Sequence, residues 1–424
     1  MRTSTELLER CRADGEFVLA ARHWNGALRL DFGGSVAAIT LVDGEPVAGD
    51  PGPEADGALT LTGPSATWEQ MLAPVPPPFA NDIAPARALG LRRMGDELLY
   101  WQYAAAAQRA VELLRAPSAS ASPSAPPSGS AAPVGHRPTA AGTVDAPVGR
   151  YVHLELGGVD HRVYYEEAGQ GIPLLCQHTA GAHGAQWRHL FEEPAITDRF
   201  RLIAYDLPYH GKSLPPVGPA WWATPYRLEG EFLRSIPLAL IDALGLDQPV
   251  FMGCSVGGLL ALDLAAHHPA SFRSVISVEG ALSVEGDWDN LLGLWHPQVS
   301  NEAKARMMEG LTAPCSPTAF RKETTAVYAA GWPPAFHGDL YYYLVDYDLT
   351  ELADSIDTSR TGVHIMNGQY DYSATVEQGR AAHDAIAGST FTEMADIGHF
   401  PMCENPDRFL SHLLPVLDRI EADR

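Results

Sequence analysis

The sequence feature that most constrains the fold is a short run in the middle of the chain, Gly253–Gly257, which consists of Gly-Cys-Ser-Val-Gly. It lies between an apolar stretch that ends at Met252 and a helical pattern that begins at Leu259. Glycines on both sides let a serine occupy a sharp turn from a strand into a helix, with its hydroxyl projecting above a sheet. A run this short also arises by chance, so its meaning depends on the sequence around it.

The composition indicates a globular protein with an acidic surface. Of the 424 residues, 46% are hydrophobic and 19% are charged, and the formal net charge is -23. Such a surface repels phosphates and anionic lipid headgroups, so we expect neither nucleic acid nor a membrane as a partner.

The cysteines and the N-terminus favour a reducing compartment. The 5 cysteines are scattered, and no pair has the CxxC spacing of a thiolate metal site. Glu6 and Arg10 are charged where a secretory signal needs an apolar core, and no run approaches the length of a transmembrane helix. We therefore predict a cytoplasmic protein.

Residues 116–147 divide the chain into two parts. Serine, alanine and proline dominate this stretch, which cannot bury enough apolar surface to offset the entropy of ordering it. It is predicted to be a disordered linker between a small domain at residues 1–115 and a larger one at residues 148–424.

The first domain has the pattern of a small α+β unit. Strand-like runs surround the hairpin turn Asp43-Gly44, another follows at residues 58–62, and a strong helix is predicted at residues 98–115. With a short helix around Trp68, this order resembles a sterol-carrier-protein-2-like domain. The resemblance implies an apolar-ligand cavity or a partner-binding module, and a packing or oligomerisation module without a ligand is the alternative.

The second domain alternates short apolar strands with amphipathic helices. This alternation specifies a largely parallel sheet with helices on both faces, and therefore an α/β fold. The predicted strands are residues 151–156, 162–167, 172–176, 202–205, 250–252, 274–278 and 363–366, with helices near 187–191, 228–244, 259–267 and 375–386.

Polar motifs follow several of these strands. His178-Thr179-Ala180-Gly181 follows one apolar strand, and Asp206–Ser213 follows the next. Asp371 follows a late strand, and His399 lies before the C-terminal helix. The Gly-Lys-Ser end of Asp206–Ser213 is typical of a phosphate-binding loop, but the first glycine of that motif would fall at Asp206, which argues against a nucleotide site.

With Ser255, Asp371 and His399 in the order Ser, Asp, His, residues 151–424 resemble the α/β-hydrolase superfamily. The resemblance implies an α/β-hydrolase fold with a helical lid. It also implies a catalytic triad in which Ser255 is the nucleophile, His399 is its general base and Asp371 orients the histidine. Glu279, after the preceding strand, is the alternative acid.

The same resemblance implies an oxyanion hole of two backbone N–H groups. One belongs to Val256, directly after the nucleophile, and the other to the loop after His178, where Thr179 replaces a glycine of the superfamily's usual pattern. We assign the second donor to Ala180, with Thr179 as the alternative. Cys254 is expected to be a packed, unreactive thiol.

Residues 282–360, approximately, exceed what a bare core needs and are predicted to form a lid over the pocket. Aromatic residues in and near this stretch either line the substrate site or form the core of the lid itself. The residues that we expect to contact substrate are His178, Trp187, Trp221, Trp222, Trp295, Trp332 and Tyr372.

These features predict a serine hydrolase that cleaves a small or medium, apolar or aromatic carboxylic ester through an acyl-enzyme. Thioester and lactone hydrolysis remain open, as does cleavage of a carbon–carbon bond beside a ketone by an enzyme similar to meta-cleavage-product hydrolases. Those enzymes bind a substrate carboxylate with a cation, for which the lid offers Lys304, Arg306, Arg321 and Lys322.

A lipid- or ligand-binding protein without catalysis is the alternative from another class. No cofactor and no metal are expected, because His178 and His183 lack an acidic or cysteine partner at metal-site spacing. The partner implied is a small-molecule substrate, with an apolar ligand in the N-terminal domain and a homo-oligomer left open.

Overall fold

A computed structural model describes residues 3–115 and 141–422. As far as these residues extend, the chain forms two compact units. The first unit is built from Met1–Ser130 and Gly293–Gly310, and the second from Ala131–Leu292 and Leu311–Arg424.

The strands of the described residues are, in chain order, β1 (Gly26–Asp31), β2 (Val36–Val42), β3 (Glu45–Val47), β4 (Ala58–Thr62), β5 (Arg92–Met94), β6 (Val148–Leu156), β7 (Val159–Gly169), β8 (Ile172–Gln177), β9 (Phe200–Tyr205), β10 (Val250–Cys254), β11 (Ser274–Val278), β12 (Gly362–Gly368) and β13 (Thr390–Met394).

The helices are α1 (Ser4–Ala13), α2 (Gly15–Ala21), α3 (Ser65–Met71), α4 (Glu97–Leu113), α5 (Arg188–Phe191), α6 (Pro194–Thr197), α7 (Gly230–Leu244), α8 (Val256–His267), α9 (Asn301–Gly310), α10 (Thr318–Ala329), α11 (Pro333–Tyr341), α12 (Val376–Ala385), α13 (Pro401–Glu404) and α14 (Pro406–Ala422). A π-helical turn, Tyr342–Asp346, continues α11. Within the described ranges, no helix combines the length and apolar character needed to cross a membrane.

The first unit contains a five-stranded sheet in the order β3-β2-β1-β4-β5. Strands β1 and β4 are parallel, and the other neighbours are antiparallel. Asp43 and Gly44 connect β2 to β3 with φ angles of 50° and 84°, as a two-residue hairpin turn requires. The sequence analysis did not include α1, α2 or β5. The resemblance to a sterol-carrier-protein-2-like domain stays a prediction.

Helix α9 is part of the first unit, although the sequence analysis had placed its residues in the lid. It packs on α4, and Arg306 forms a buried ion pair with Asp82. The Asn81 side-chain amide donates a hydrogen bond to the Gly310 carbonyl at 3.0 Å. These contacts integrate residues 293–310 into the first unit. Of the predicted linker, residues 116–140 lie outside the described residues.

The second unit is built on an eight-stranded sheet in the order β13-β12-β11-β10-β8-β9-β7-β6. Strands β8 to β13 run parallel to one another. The antiparallel pairs are β6 with β7 and β7 with β9. Every residue of β10 and β11 is buried, as expected for strands covered by helices on both faces. The predicted mostly parallel α/β fold is confirmed. Strand β13 was not predicted, because this edge strand is only partly buried along most of its length.

Candidate active site

The parallel strands bring the candidate residues to one edge of the sheet. Ser255 follows β10, Glu279 follows β11, Asp371 lies three residues beyond β12, and His399 follows β13. Because β10 to β13 are adjacent and parallel, their carboxyl ends lie side by side. The loop that begins at His178 follows β8, on the other side of β10.

Ser255 occupies a strained turn that only its neighbouring glycines allow. Its φ angle is 59°, in a region that L residues other than glycine rarely adopt. A Cβ atom at Gly253 would lie 2.2 Å from the Gly257 carbonyl oxygen, and one at Gly257 would lie 2.9 Å from the Gln177 carbonyl oxygen. The Ser255 N–H donates to the Val278 carbonyl at 2.9 Å, which ties the turn to β11.

His399 and Asp371 form a buried pair. The His399 Nδ1 atom lies 2.6 Å from Asp371 Oδ2. Because the carboxylate accepts from Nδ1–H, Nε2 carries no proton in the neutral ring and remains available as a base. Asp371 Oδ1 accepts the Ser373 N–H at 2.7 Å, which fixes the orientation of the carboxylate.

The backbone around His399 is also fixed. The His399 N–H donates to the Leu311 carbonyl at 3.0 Å, and its carbonyl accepts from the Cys254 thiol at 3.2 Å. Glu404 accepts the N–H of Gly398 and, at 3.3 Å, that of Ala313. Burial raises the pKa of Glu404 to about 8 despite these hydrogen bonds. The loop that carries His399 is therefore held by the Glu404 carboxyl group, which releases its proton only as the pH approaches about 8.

Glu279, the alternative acid, lies behind Asp371. Both of its carboxyl oxygens accept from the Gly368 N–H, at 2.9 and 2.8 Å, and its side chain lies close enough to Asp371 for the two carboxyl groups to interact. Burial and then the Asp371 charge raise the pKa of Glu279 well above its ordinary value. Glu279 is thus the partner that carries a proton in this pair, and Asp371 is the carboxylate that contacts His399.

The loop after β8 leaves one N–H group free for an oxyanion. The Thr179 N–H donates to Gln186 Oε1 at 3.0 Å, and the Gly181 N–H donates to Asp339 Oδ2 at 2.7 Å. Between them, the Ala180 N–H has no hydrogen-bond acceptor among the described residues. Val256 is the first residue of α8, where an N–H group has no partner within the helix. This pattern favours Ala180 over Thr179 as the partner of Val256 in an oxyanion hole.

His178 holds this loop in place through hydrogen bonds of its ring to the backbone. Its Nε2 atom accepts the Leu207 N–H at 3.0 Å, and its Nδ1 atom donates to the Thr179 carbonyl at 2.8 Å. Burial lowers the pKa of His178 well below the ordinary value, so the ring is neutral. Since both ring nitrogens are engaged, His178 positions the loop and has no nitrogen left for a substrate or a metal.

The aromatic residues named from the sequence fall into three places. Trp187 is fully buried in the core of the second unit, and Trp295 belongs to the first unit. Trp221 contacts both Trp222 and Trp332, with ring centroids 5.6 Å apart in each case. Of these three, Trp222 is 70% exposed. The structure therefore brings together Trp221, Trp222 and Trp332, and places Trp187 and Trp295 elsewhere.

Tyrosines and an aspartate connect this aromatic cluster to the oxyanion loop. Tyr209 and Tyr226 extend the cluster, with ring centroids 4.8 Å apart. The Tyr226 hydroxyl donates to Asp339 Oδ1 at 3.1 Å, and the other oxygen of Asp339 binds Gly181. Asp339 lies on α11 in the lid, so the lid helix is hydrogen-bonded directly to the loop beside Ala180.

Two tyrosines lie near Asp371. Tyr372 follows Asp371 directly and is half-buried. Tyr343, in the π-helical turn of the lid, forms a hydrogen bond with Ser373, whose Oγ lies 3.0 Å from the tyrosine oxygen, and its hydroxyl also interacts with Ser255. Tyr343 was not among the predicted substrate contacts, because no motif distinguishes it from Tyr341 and Tyr342.

The thiol of Cys254 is buried beside Ser255. Burial, followed by the nearby Glu279, raises the pKa of the Cys254 thiol well above its usual value, as expected for an unreactive side chain. In the part of the chain that is described, no three His, Cys, Asp or Glu side chains are grouped as a metal site requires.

Part of the chain is similar in sequence to known hydrolases. A family model described as alpha/beta hydrolase fold matches residues 172–319. The chain is 34% identical over 116 residues to a pimeloyl-(acyl-carrier protein) methyl ester esterase from Aeromonas hydrophila subsp. hydrophila, a match that covers 27% of this chain and 41% of that protein. It is 32% identical over 111 residues to 3-oxoadipate enol-lactonase 2 from Acinetobacter baylyi, covering 26% and 38%. The chain thus spans about two fifths of the length of these curated relatives.

A solved structure is similar over a longer range. A thermophilic esterase from Thermogutta terrifontis superposes with a TM-score of 0.56 at 20% identity, covering 64% of this chain and 99% of that one. At this level of identity the likeness concerns the fold.

Proposed function

We propose that the chain is a member of the α/β-hydrolase superfamily, whose family model matches residues 172–319, and that it is a serine hydrolase of carboxylic esters or lactones. The observation that carries the proposal is the buried pair of Asp371 and His399, 2.6 Å apart, at the same sheet edge as a serine in a strained turn. The names of the relatives, an esterase and an enol-lactonase, agree with this class of substrate.

The proposed reaction uses only side chains and backbone groups. His399 Nε2 takes the proton of Ser255, whose Oγ attacks the substrate carbonyl. The Ala180 and Val256 N–H groups bind the resulting oxyanion, and His399 then protonates the leaving oxygen. Water activated by His399 releases the acid and restores Ser255.

The aromatic cluster supports an apolar or aromatic acyl group of small or medium size. Trp332 contacts both Trp221 and Tyr226, and Tyr226 is hydrogen-bonded to Asp339, which also binds the Gly181 N–H of the loop after β8. An acyl group attached to a carbonyl in the oxyanion hole would extend toward this loop. Apolar rings there would bind it by burying its hydrocarbon surface.

The carbon–carbon hydrolase alternative gains less support. Lys304 and Arg306, two of the four cations suggested for a substrate carboxylate, belong to the first unit. Arg306 is paired there with Asp82 and, at 3.1 Å, with Glu309. Ester or lactone hydrolysis needs no such cation and is therefore the proposed activity.

Turnover of p-nitrophenyl esters with short acyl chains tests the proposal. We expect Ser255→Ala to abolish turnover, since it removes the nucleophile. Cys254→Ser is the matched control, because it changes the adjacent side chain of the same turn while its hydroxyl can still donate to the His399 carbonyl, and it is expected to retain activity. If Ser255→Ala turned over these esters at the wild-type rate, Ser255 would not be the nucleophile.

A further inference from the structure

The lid carries a tyrosine whose hydroxyl lies at the nucleophile. Tyr343 is 2% exposed, its hydroxyl lies 3.0 Å from the Ser373 Oγ, and it is close enough to Ser255 to interact with that side chain. It lies in the π-helical turn Tyr342–Asp346, and such turns are frequent at functional sites. The reaction described above does not use this hydroxyl.

Ser373 connects the Tyr343 hydroxyl to the acid side of the triad. The Ser373 Oγ is 3.0 Å from the tyrosine oxygen, and its N–H donates to Asp371 Oδ1 at 2.7 Å. The other oxygen of Asp371 contacts His399. Tyr343 therefore approaches Ser255 from the side of Asp371 and His399, whereas the oxyanion donors come from the loop after β8 and the start of α8.

The leaving group of an ester has to lie on this same side of Ser255. Its alkoxy oxygen takes a proton from His399 Nε2 when the tetrahedral intermediate collapses, so it must be within hydrogen-bond reach of the imidazole. A hydroxyl that already contacts Ser255 on the histidine side is then close to the alkoxy oxygen.

Tyr343 is suited to donate a hydrogen bond there. Burial, followed by the Asp371 charge, raises the pKa of the Tyr343 phenol above its ordinary value. The phenol therefore keeps its proton throughout the pH range in which ester hydrolysis is measured. A neutral donor fixed beside a developing negative charge stabilises that charge.

Resting on the serine hydrolase activity proposed above, we propose that Tyr343 is a further catalytic residue that donates a hydrogen bond from the lid to the alkoxy oxygen of the ester. In the free enzyme its hydroxyl contacts Ser255 and Ser373. In the tetrahedral intermediate it turns to the leaving oxygen while the carbon–oxygen bond breaks. His399 supplies the proton that completes the alcohol, and Tyr343 retains its own.

This role predicts a dependence on the leaving group. An alkyl alkoxide leaves with a high charge density on oxygen, whereas p-nitrophenolate delocalises its charge and needs little assistance. Loss of the Tyr343 hydroxyl should therefore slow the hydrolysis of alkyl esters more than that of p-nitrophenyl esters with the same acyl group.

The test compares kcat/KM for ethyl butyrate and p-nitrophenyl butyrate in the wild type and in Tyr343→Phe. We expect a loss of about tenfold or more for the ethyl ester and of less than about threefold for the p-nitrophenyl ester, in line with one hydrogen bond to a charged group. Tyr347→Phe is the matched control. It removes another buried lid hydroxyl, which donates to the Ala281 carbonyl at 2.8 Å, and should change both esters by the same factor.

Two further measurements separate the outcomes. Thermal unfolding and the rate at which a fluorophosphonate labels Ser255 should stay close to wild type in Tyr343→Phe, because the fold and the nucleophile are unchanged. Equal losses for both esters, or no loss for either, in a variant that still labels would overturn the role of Tyr343. A wild-type protein that cleaves neither ester and takes no label would instead overturn the proposed function, and this role with it.

Discussion

In the proposed triad, Asp371 selects the tautomer of His399. With Asp371 Oδ2 at 2.6 Å from Nδ1, a neutral ring carries its proton on Nδ1 and leaves Nε2 as the acceptor. The Glu279 side chain interacts with the same carboxylate and also accepts a hydrogen bond from the Gly368 N–H. The two acids therefore have different tasks, and substitutions that preserve shape can separate them.

Asp371→Asn is expected to lower kcat by about 10³- to 10⁴-fold, because an amide at this position favours the wrong tautomer of His399. Glu279→Gln should retain kcat within about tenfold, since a glutamine still accepts from Gly368 and donates to Asp371. Steady-state turnover of p-nitrophenyl butyrate measures both. If Glu279→Gln proved as damaging as Asp371→Asn, Glu279 would be the acid of the triad.

Single residues were predictable where a local motif follows a strand. Ser255, Asp371 and His399 each lie in such a place, so chain order was enough to predict them as a triad, and their catalytic roles stay a prediction. Tyr343 could not be found in this way, because three consecutive tyrosines differ only in their position around the helix. The π-helical turn that starts at Tyr342 changes that position, and sequence periodicity does not indicate such a turn.

Short loops and helix ends hold the elements of the site together. Glu404, at the end of α13, accepts N–H groups from both the His399 loop and the segment after Leu311. It is fully buried, and burial is the main reason for its raised pKa of about 8. The carboxyl group thus couples the stability of this loop to pH.

Stability should decline as the pH rises toward 8 because of Glu404. The unfolded chain releases this proton near the ordinary pKa of 4.5, whereas the folded chain holds it up to about 8. The contribution is complete below the unfolded pKa and is lost as the pH rises through the folded one, with a slope of up to about 1.4 kcal/mol per pH unit. Urea unfolding of wild type and Glu404→Gln across this range measures it, and the variant should show the smaller slope. If the free energy of unfolding changed with pH by the same slope in wild type and Glu404→Gln, Glu404 would not be the group responsible.

The elements of the sheet were more predictable than those of the lid. Buried strands such as β10 and β11 can be identified from short, largely apolar runs between turn residues. Helix α9 is amphipathic like its neighbours, but its partner α4 is distant in sequence. The buried pair of Asp82 and Arg306 joins the two regions, and neither residue lies in a motif.

At the scale of the whole molecule, the two units are interleaved in sequence. The chain passes from the second unit into the first at Gly293 and returns to the second unit at Leu311. The α/β-hydrolase fold predicted for residues 151–424 is confirmed for the second unit. The first unit is therefore not built from N-terminal residues alone, because Gly293–Gly310 is part of it.

Deletion of residues 1–115 is therefore expected to destabilise the remaining chain. It removes the α4 surface on which α9 packs and leaves Arg306 without Asp82, a loss of about 3–5 kcal/mol for a buried pair alone. Solubility and thermal unfolding of the truncated chain measure the effect. The control is the full-length chain with Asp82→Leu and Arg306→Met, which removes the charges but keeps the packing and should stay folded. A truncated chain as soluble and stable as the full chain would contradict this account.

The central claim is that Ser255 is a nucleophile activated by His399, and covalent trapping tests it most directly. Treatment of the full-length protein with a fluorophosphonate, followed by mass spectrometry of its peptides, should place a single phosphonyl group on Ser255. The adduct should be absent in Ser255→Ala and form at least about 10²-fold more slowly in His399→Ala, because the general base is lost. Unlabelled Ser255 in the folded wild-type protein, or labelling at the same rate without His399, would contradict the claim.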